Sequence, residues 1–382
     1  MSADRFVEVT RESWFSRLGG AIKGVLVGTV LFAVAFPLLF WNEGRAVKRF
    51  KTLKEGGGLV VSVAADRVDA ANAGRLIHVS GKADTAATLA DPVFGVSAPA
   101  LKLKRAVEMY QWQEDVKSET KKKTGGSAET VKTYTYRKTW SSSLHRSSDF
   151  KQPDGHQNPE AFAYASTLLT ADTVTLGAFR LSPSLVGMIG NFTPLPVSPD
   201  SLLPEGAAVK AVLHGGGFYL GANPSEPKVG DLRVTFEVAR PTEVSVIAKQ
   251  AGESFEPYLT QAGGTIELLE LGAVPAAAMI QKAQDSNRML TWLLRLAGFL
   301  LMLIGLNMIF RPLSVLADVL PFLGSLVGAG TGLIAFLLAA LFSLATIAVA
   351  WLVYRPLVGG GLLMIAAVLT FAVVKKLRAT KA

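Results

Sequence analysis

The sequence predicts an integral membrane protein with four α-helical spans and one large β-rich (α+β) extracytoplasmic domain. Three observations carry this reading. Half of the 382 residues are hydrophobic and only 18% are charged. The apolar excess is concentrated in runs: the 43 residues from Pro312 to Tyr354 hold one charge, Asp318, which no water-facing surface tolerates. Over residues 42–289 these runs give way to short segments with two-residue alternation, the period of half-buried strands. An ordinary cytosolic enzyme is excluded. The net charge of +9 does not point to nucleic acid, because it divides into +1 over residues 1–41, +2 over 42–290 and +6 over 291–382. The basic excess flanks the membrane.

Taken in order, residues 1–23 read as a cytoplasmic tail bearing Arg5, Arg11, Arg17 and Lys23. Residues 24–41 form the first span, long enough for a hydrocarbon core of about 30 Å. Ala33-Val34-Ala35 imitates a signal-peptide cleavage site, but the apolar run continues through Pro37 to Trp41, which is placed like an interfacial aromatic. In the domain, strands are expected at 58–63, 75–80, 101–109, 131–138, 208–214, 231–238, 243–249 and 265–270. A polar hairpin tip is expected at 117–129, and helices after Pro159 and after Ser182-Pro183, where serine caps and proline takes the first turn. A helix beginning at Pro275 continues into the second span, 290–310, with Arg295 reaching toward the headgroups. The tripeptide Arg311-Pro312-Leu313 recurs as Arg355-Pro356-Leu357, each time at the edge of an apolar run, with arginine as an interface anchor and proline opening a helix. Residues 311–324 are too short to span and read as interfacial or re-entrant. Residues 325–354 and 357–374 are the third and fourth spans, and 375–382 a basic cytoplasmic tail. Four spans place both basic termini inside. The cations Arg45, Lys48, Arg49, Lys51 and Lys54 lie on the other side, against that rule.

No chemistry announces itself. The absence of cysteine removes disulfides, thiolate metal sites and cysteine nucleophiles. The four histidines, His78, His145, His156 and His214, form no metal-ligand spacing, and His214-Gly215-Gly216-Gly217 lacks the nucleophile elbow that an esterase oxyanion loop requires. No phosphate-binding or dinucleotide fingerprint occurs, so neither cofactor nor metal is expected. Asp318 is the candidate intramembrane charge. Gly20, Gly24 and Gly28, and again Gly324, Gly328 and Gly332, form small-residue ridges for helix packing within one chain or between copies. Trp41, Asn42, Glu43 and Arg45 mark the junction of span and domain. Arg311, Pro312, Arg355 and Pro356 mark the interfaces.

Several segments resemble the LUMA family, transmembrane protein 43 and its relatives. They are Phe40-Trp41-Asn42-Glu43-Gly44-Arg45-Ala46-Val47, Val107-Glu108-Met109-Tyr110-Gln111-Trp112, His156-Gln157-Asn158-Pro159, Gly230-Asp231-Leu232-Arg233-Val234-Thr235-Phe236 and Ala350-Trp351-Leu352-Val353-Tyr354-Arg355-Pro356-Leu357. The resemblance implies a four-span protein with a large non-cytosolic domain between the first two spans, and it brings no enzymatic activity or catalytic residue. Eukaryotic members imply residence in the endoplasmic reticulum and inner nuclear membrane, self-association, and complexes with emerin and lamins. In a bacterial plasma membrane, which the alanine-rich spans would equally suit, the implied role contracts to membrane organisation. The function expected is therefore a non-enzymatic scaffold whose partners are the bilayer, further copies of itself and other membrane proteins. The alternative is a ligand-, lipid- or ion-sensing protein or transporter acting through the segment around Asp318.

Overall fold

The computed structural model describes residues 4–198, 211–357, 359–361 and 364. Its long axis is set by α1 (Trp14–Leu59), α3 (Ala276–Ala317) and α4 (Pro321–Tyr354). The short α2 (Pro183–Met188) lies in the domain, where Ser182 Oγ accepts from the Leu185 amide and Pro183 takes the first turn as expected. Ser13 caps α1 by accepting the Ser16 amide at 3.2 Å. At ~1.5 Å per residue α1 runs for about 69 Å, well beyond a membrane, so its C-terminal third is a stalk inside the domain.

α1 and α3 pack antiparallel along their whole length, from the Trp14–Val315 hydrogen bond (2.8 Å) to the contact of Gly57 with Ile280. Halfway along, Gly28 meets Gly305 so closely that a Cβ on either would lie 2.6–2.7 Å from the other's carbonyl oxygen. Here the small-residue ridge acts within the chain. Gly28→Val is expected to cost about 1–3 kcal/mol through overpacking, measured as a lower unfolding temperature in detergent. Valine at Gly20, where a Cβ meets nothing within 4 Å, should leave that temperature unchanged. α4 closes the bundle, whose core holds Ala35, Leu39, Met302, Leu306, Ala335 and Ala339.

Two boundaries differ from expectation. Residues 311–324 are not re-entrant: α3 continues through Arg311 and Pro312 to Ala317, and three residues turn the chain into α4. Near a helix end the missing proline donor is tolerated where neighbouring helices cover the freed carbonyl. The fourth span, 357–374, and the tail, 375–382, lie almost wholly outside the described residues. Three helices among those described are long and apolar enough to cross a membrane.

Among the described residues the domain holds two large sheets and two small two-stranded ones. The larger, eight-stranded among the described residues, runs in the order Arg5–Glu12, Ala128–Ser141, Lys102–Lys122, Leu232–Ala239, Gly217–Leu220, Ala211–His214, with Thr167–Thr170 and Thr193–Leu195 paired off this path. The second large sheet, seven-stranded, is built on Leu76–Asp84 antiparallel to Thr242–Ala251. Phe94, Val107, Met109, Phe218, Val234 and Phe236 fill one core, and Ile77, Val79, Leu176, Phe179, Val244 and Val246 another. A third cluster, with Leu53 of α1, Leu76, Ile247, Ile266 and Met279 and Ile280 of α3, joins stalk to domain.

The expected strand at 58–63 shortens to Val61–Val63, because α1 keeps Gly58 and Leu59. Of the strand expected at 208–214, residues 208–210 lie outside the described residues. No helix follows Pro159. Asn158 clips the Trp112 backbone on both sides (2.7 and 2.9 Å), and the chain runs on, irregular, to the strand paired with Arg105. The 117–129 tip is mostly strand, leaving residues 123–127 as the turn. The described part of the expected tail 1–23 is not free, since Arg5–Glu12 pairs with Thr135 through Ala128 as the sheet's outer strand. Its charges concealed a run, Arg5-Phe6-Val7-Glu8-Val9, that can pair as a strand.

Strands 102–122 and 128–141 therefore form, with 5–12, a polar three-stranded arm. From Met109, in the domain core, to Lys122 the arm covers about 43 Å at ~3.3 Å per residue. From Trp14 to Glu43 α1 covers about the same distance. The arm is rooted in the domain and its tip reaches the opposite end of the bundle. Two carboxylates help to hold the outer strand: Glu8 accepts from Lys151 (2.7 Å) and Tyr134 (2.9 Å), and Glu129 from Lys123 (2.6 Å) and Arg11 (2.9 Å). The Lys151 bond, then the Tyr134 bond, holds the Glu8 carboxyl below its ordinary 4.5, as Lys123 and Arg11 do for Glu129. A depressed carboxyl contributes stability that is complete above its ordinary pKa and lost as pH falls through its folded value. The outer strand should thus loosen only below about pH 4.5, seen as faster amide exchange over residues 5–12 after correction for the intrinsic rate.

Candidate functional site

Two buried carboxylates lie at opposite ends of the bundle. At the domain end, Asn42 and Glu43 are fully buried where α1 leaves the helices. The antiparallel register brings Glu43 opposite Arg295 of α3 and Trp351 of α4. Glu43 accepts from Arg295 Nε at 2.6 Å, Arg295 Nη2 at 3.0 Å and Trp351 Nε1 at 2.8 Å. The Arg295 guanidinium, 4.7 Å from the Trp292 ring and 5.7 Å from that of Trp351, is turned inward and does not reach for headgroups as expected. Its attraction to a low-dielectric carboxylate outweighs what snorkelling would recover. Beside it Asn42 Nδ2 donates to the Thr291 carbonyl (3.0 Å), while Arg45 donates to Asn42 Oδ1, Asn287 Oδ1 and Thr291 Oγ1 at 3.0–3.4 Å. Both Glu43 oxygens are engaged by fixed donors, so this arrangement locks three helices and offers no base to a substrate. Trp41 and Trp292 both face outward, 57% and 63% exposed.

At the far end Asp318 caps α3 and is fully buried. It accepts from Lys122 Nζ at 2.8 Å and Arg17 Nη2 at 2.5 Å. Arg17 also donates to the Gly126 carbonyl, and the Gly125 amide to the Val319 carbonyl at 2.9 Å. Asp318 thus ties the start of α1, the arm tip and the α3–α4 turn together, and it does not stand midway along a polar path through the helices. Gly324 is required beside it, because a Cβ there would overlap the Asp318 carboxylate, and one on Gly328 would lie 2.8 Å from Ser314 Oγ. Gly332 and Gly24 are looser, their nearest side-chain atoms at 3.8 Å.

Of the repeated tripeptides, Arg311 is exposed two turns before the Asp318 end, with Pro312 inside α3. Arg355 ends α4 at the domain end, 6.0 Å from the Trp351 ring, and Pro356 is exposed beyond it. The two arginines therefore lie at opposite ends of the helix bundle. The histidines serve the domain: His78 lies within hydrogen-bond reach of Ser62 Oγ (3.0 Å) and the Val274 carbonyl (2.9 Å), and His156 stacks on Tyr136 at 3.9 Å. His214 pairs with Gly217 across a turn whose glycines, at φ +62° and +81°, explain the Gly-Gly without an oxyanion role. Among the charge pairings that eluded sequence reasoning are Glu43 with Arg295, Arg17 with Asp318, and Arg105 with Asp91 at 2.8 Å in the domain.

Three apolar helices, fastened at both ends by buried ion pairs and crowned by a β-rich domain, define a multi-span integral membrane protein. The chain belongs to the transmembrane protein 43 family, whose family model matches residues 109–356. It is 39% identical to Transmembrane protein 43 of Rattus norvegicus over 370 residues, covering 93% of this chain and 91% of the relative. Against the Homo sapiens protein identity is 38%, covering 91% and 88%, and against the Drosophila melanogaster homolog 32%, covering 89% and 91%. No solved structure matches the chain.

Proposed function

We propose that this protein is a non-enzymatic membrane scaffold that self-associates and organises complexes through its large domain, placed on the extracytoplasmic or lumenal side. The observation that supports it is the arm. Its strands are polar, its outer strand Arg5–Glu12 is paired on one side only among the described residues, and it runs the length of an apolar bundle. Hydrocarbon offers no partner to such a backbone edge, so that flank faces protein or water. A second copy presenting the same flank about a two-fold axis supplies that partner. The saturated state of both buried carboxylates speaks against transport through the bundle.

The absence of native cysteine makes the test direct. Single cysteines at Val7 and Val9, which are 44% and 53% exposed, should yield disulfide-linked dimers in native membranes under mild oxidant. A chain that stays monomeric at every position from 5 to 12, and is monomeric by mass in nanodiscs, would count decisively against self-association through this edge.

A further inference from the structure

We propose that the groove between α1 and α4 at the domain end binds one anionic glycerophospholipid, its phosphate in a cationic chamber and an acyl chain in the apolar groove below. The upper chamber, about 510 Å³, is lined by Arg45, Lys48 and Lys51 with Trp41, Val353 and Tyr354. The lower, about 550 Å³, is lined by Phe36, Pro37, Phe40 and Thr346, and shares Trp41 and Tyr354 with the upper. Both open on the surface, and their linings follow the polarity sequence of a lipid: charge above, aromatics at the divide, hydrocarbon below.

The divide depends on one glycine. Gly44 lets the Tyr354 ring lie across α1, since a Cβ there would fall 2.6 Å from Tyr354 Cζ, and Phe40 packs on that ring at 5.2 Å between centroids. The charge above is uncompensated. Among the described residues Lys48 and Lys51 make no ion pair, and Arg45 is held by Asn42, Asn287 and Thr291, which are neutral. The nearest acids are committed elsewhere, Glu43 to Arg295 and Glu55 to the amides of Gln261 and Ala262 at 2.8 and 3.2 Å. Successive cations three residues apart lie along one helix face. Arg45 is held by hydrogen bonds and half-buried while the lysines are exposed, a combination suited to a phosphodiester at headgroup depth. The site accounts for three of the five cations, Arg45, Lys48 and Lys51, that the charge rule leaves on the unexpected side of the first span. It is independent of the scaffold reading, since a monomer could hold the same lipid.

The test is native mass spectrometry of the full chain in detergent, titrated with phosphatidylglycerol or phosphatidylcholine of matched acyl chains. The wild type should prefer phosphatidylglycerol. Lys48→Gln/Lys51→Gln, which changes only exposed side chains, should weaken phosphatidylglycerol binding about thirtyfold and leave phosphatidylcholine unchanged. Thr346→Trp, filling the lower groove, should weaken both lipids. Lys117→Gln/Lys121→Gln in the arm, with the same charge loss at exposed side chains, should change neither. Glycerol 3-phosphate, which has the phosphate and no tail, should not displace the lipid. Equal binding of the two lipids by the wild type, an unchanged preference in the Lys48/Lys51 variant, or displacement by glycerol 3-phosphate would each overturn the proposal, the last in favour of a free-phosphate site.

Discussion

Glu43→Ala is expected to destabilise the bundle by about 3–5 kcal/mol, because it leaves the Arg295 guanidinium, 14% exposed, with no counter-charge. Trp351 Nε1 loses its acceptor at the same time. Glu43→Gln should fall between alanine and wild type, retaining one acceptor without the charge. Glu43→Leu combined with Arg295→Met should recover most of the loss, since removing both charges costs less than stranding one. Denaturation in detergent, followed by tryptophan fluorescence, measures all four proteins. A Glu43→Ala protein as stable as the double variant would show that the pair does not hold the helices together.

Asp318→Ala should act locally. Arg17, 11% exposed, would keep a buried charge without a partner, whereas Lys122, 37% exposed, would be screened by solvent and lose less. We expect about 3 kcal/mol of weakening confined to the arm tip, the start of α1 and the α3–α4 turn. Hydrogen exchange should accelerate by about a hundredfold over residues 5–12 and 123–127, while Val244–Ala248 stays protected. Uniform acceleration through the domain would mean that Asp318 supports the global fold and not the docking of the arm.

The membrane helices were legible because hydrocarbon admits few side chains: three expected spans fall inside α1, α3 and α4. Their ends were not legible: Pro312 resembles a breaker in one dimension and is accommodated in three, and α1 runs on past Trp41 to Leu59 through a polar stretch that hydropathy alone assigns to the domain. The domain strands were largely readable from alternation. The arm was missed because Arg5–Glu12 lies more than a hundred residues from its partner and because charge was read there as topology. Glu43 was singled out as a junction residue, but its tie to Arg295 spans 252 positions and leaves no local trace. The only available sign was a glutamate and an arginine inside otherwise apolar runs, each costly unless paired with the other.

α1 and α3 pass from the bundle into the domain without a break, clamped to each other at Glu43–Arg295 and again around Leu53 and Ile280. A continuous helix pair resists bending far better than a linker, so the domain stands at a fixed angle to the bundle and does not swing on a tether. A lateral load on the domain therefore arrives as torque on the paired helices, and the compliant points available to it are the prolines, Pro37 and Pro312. The protein is mechanically a strut: whatever attaches to its domain is held at a set height and tilt above the bilayer.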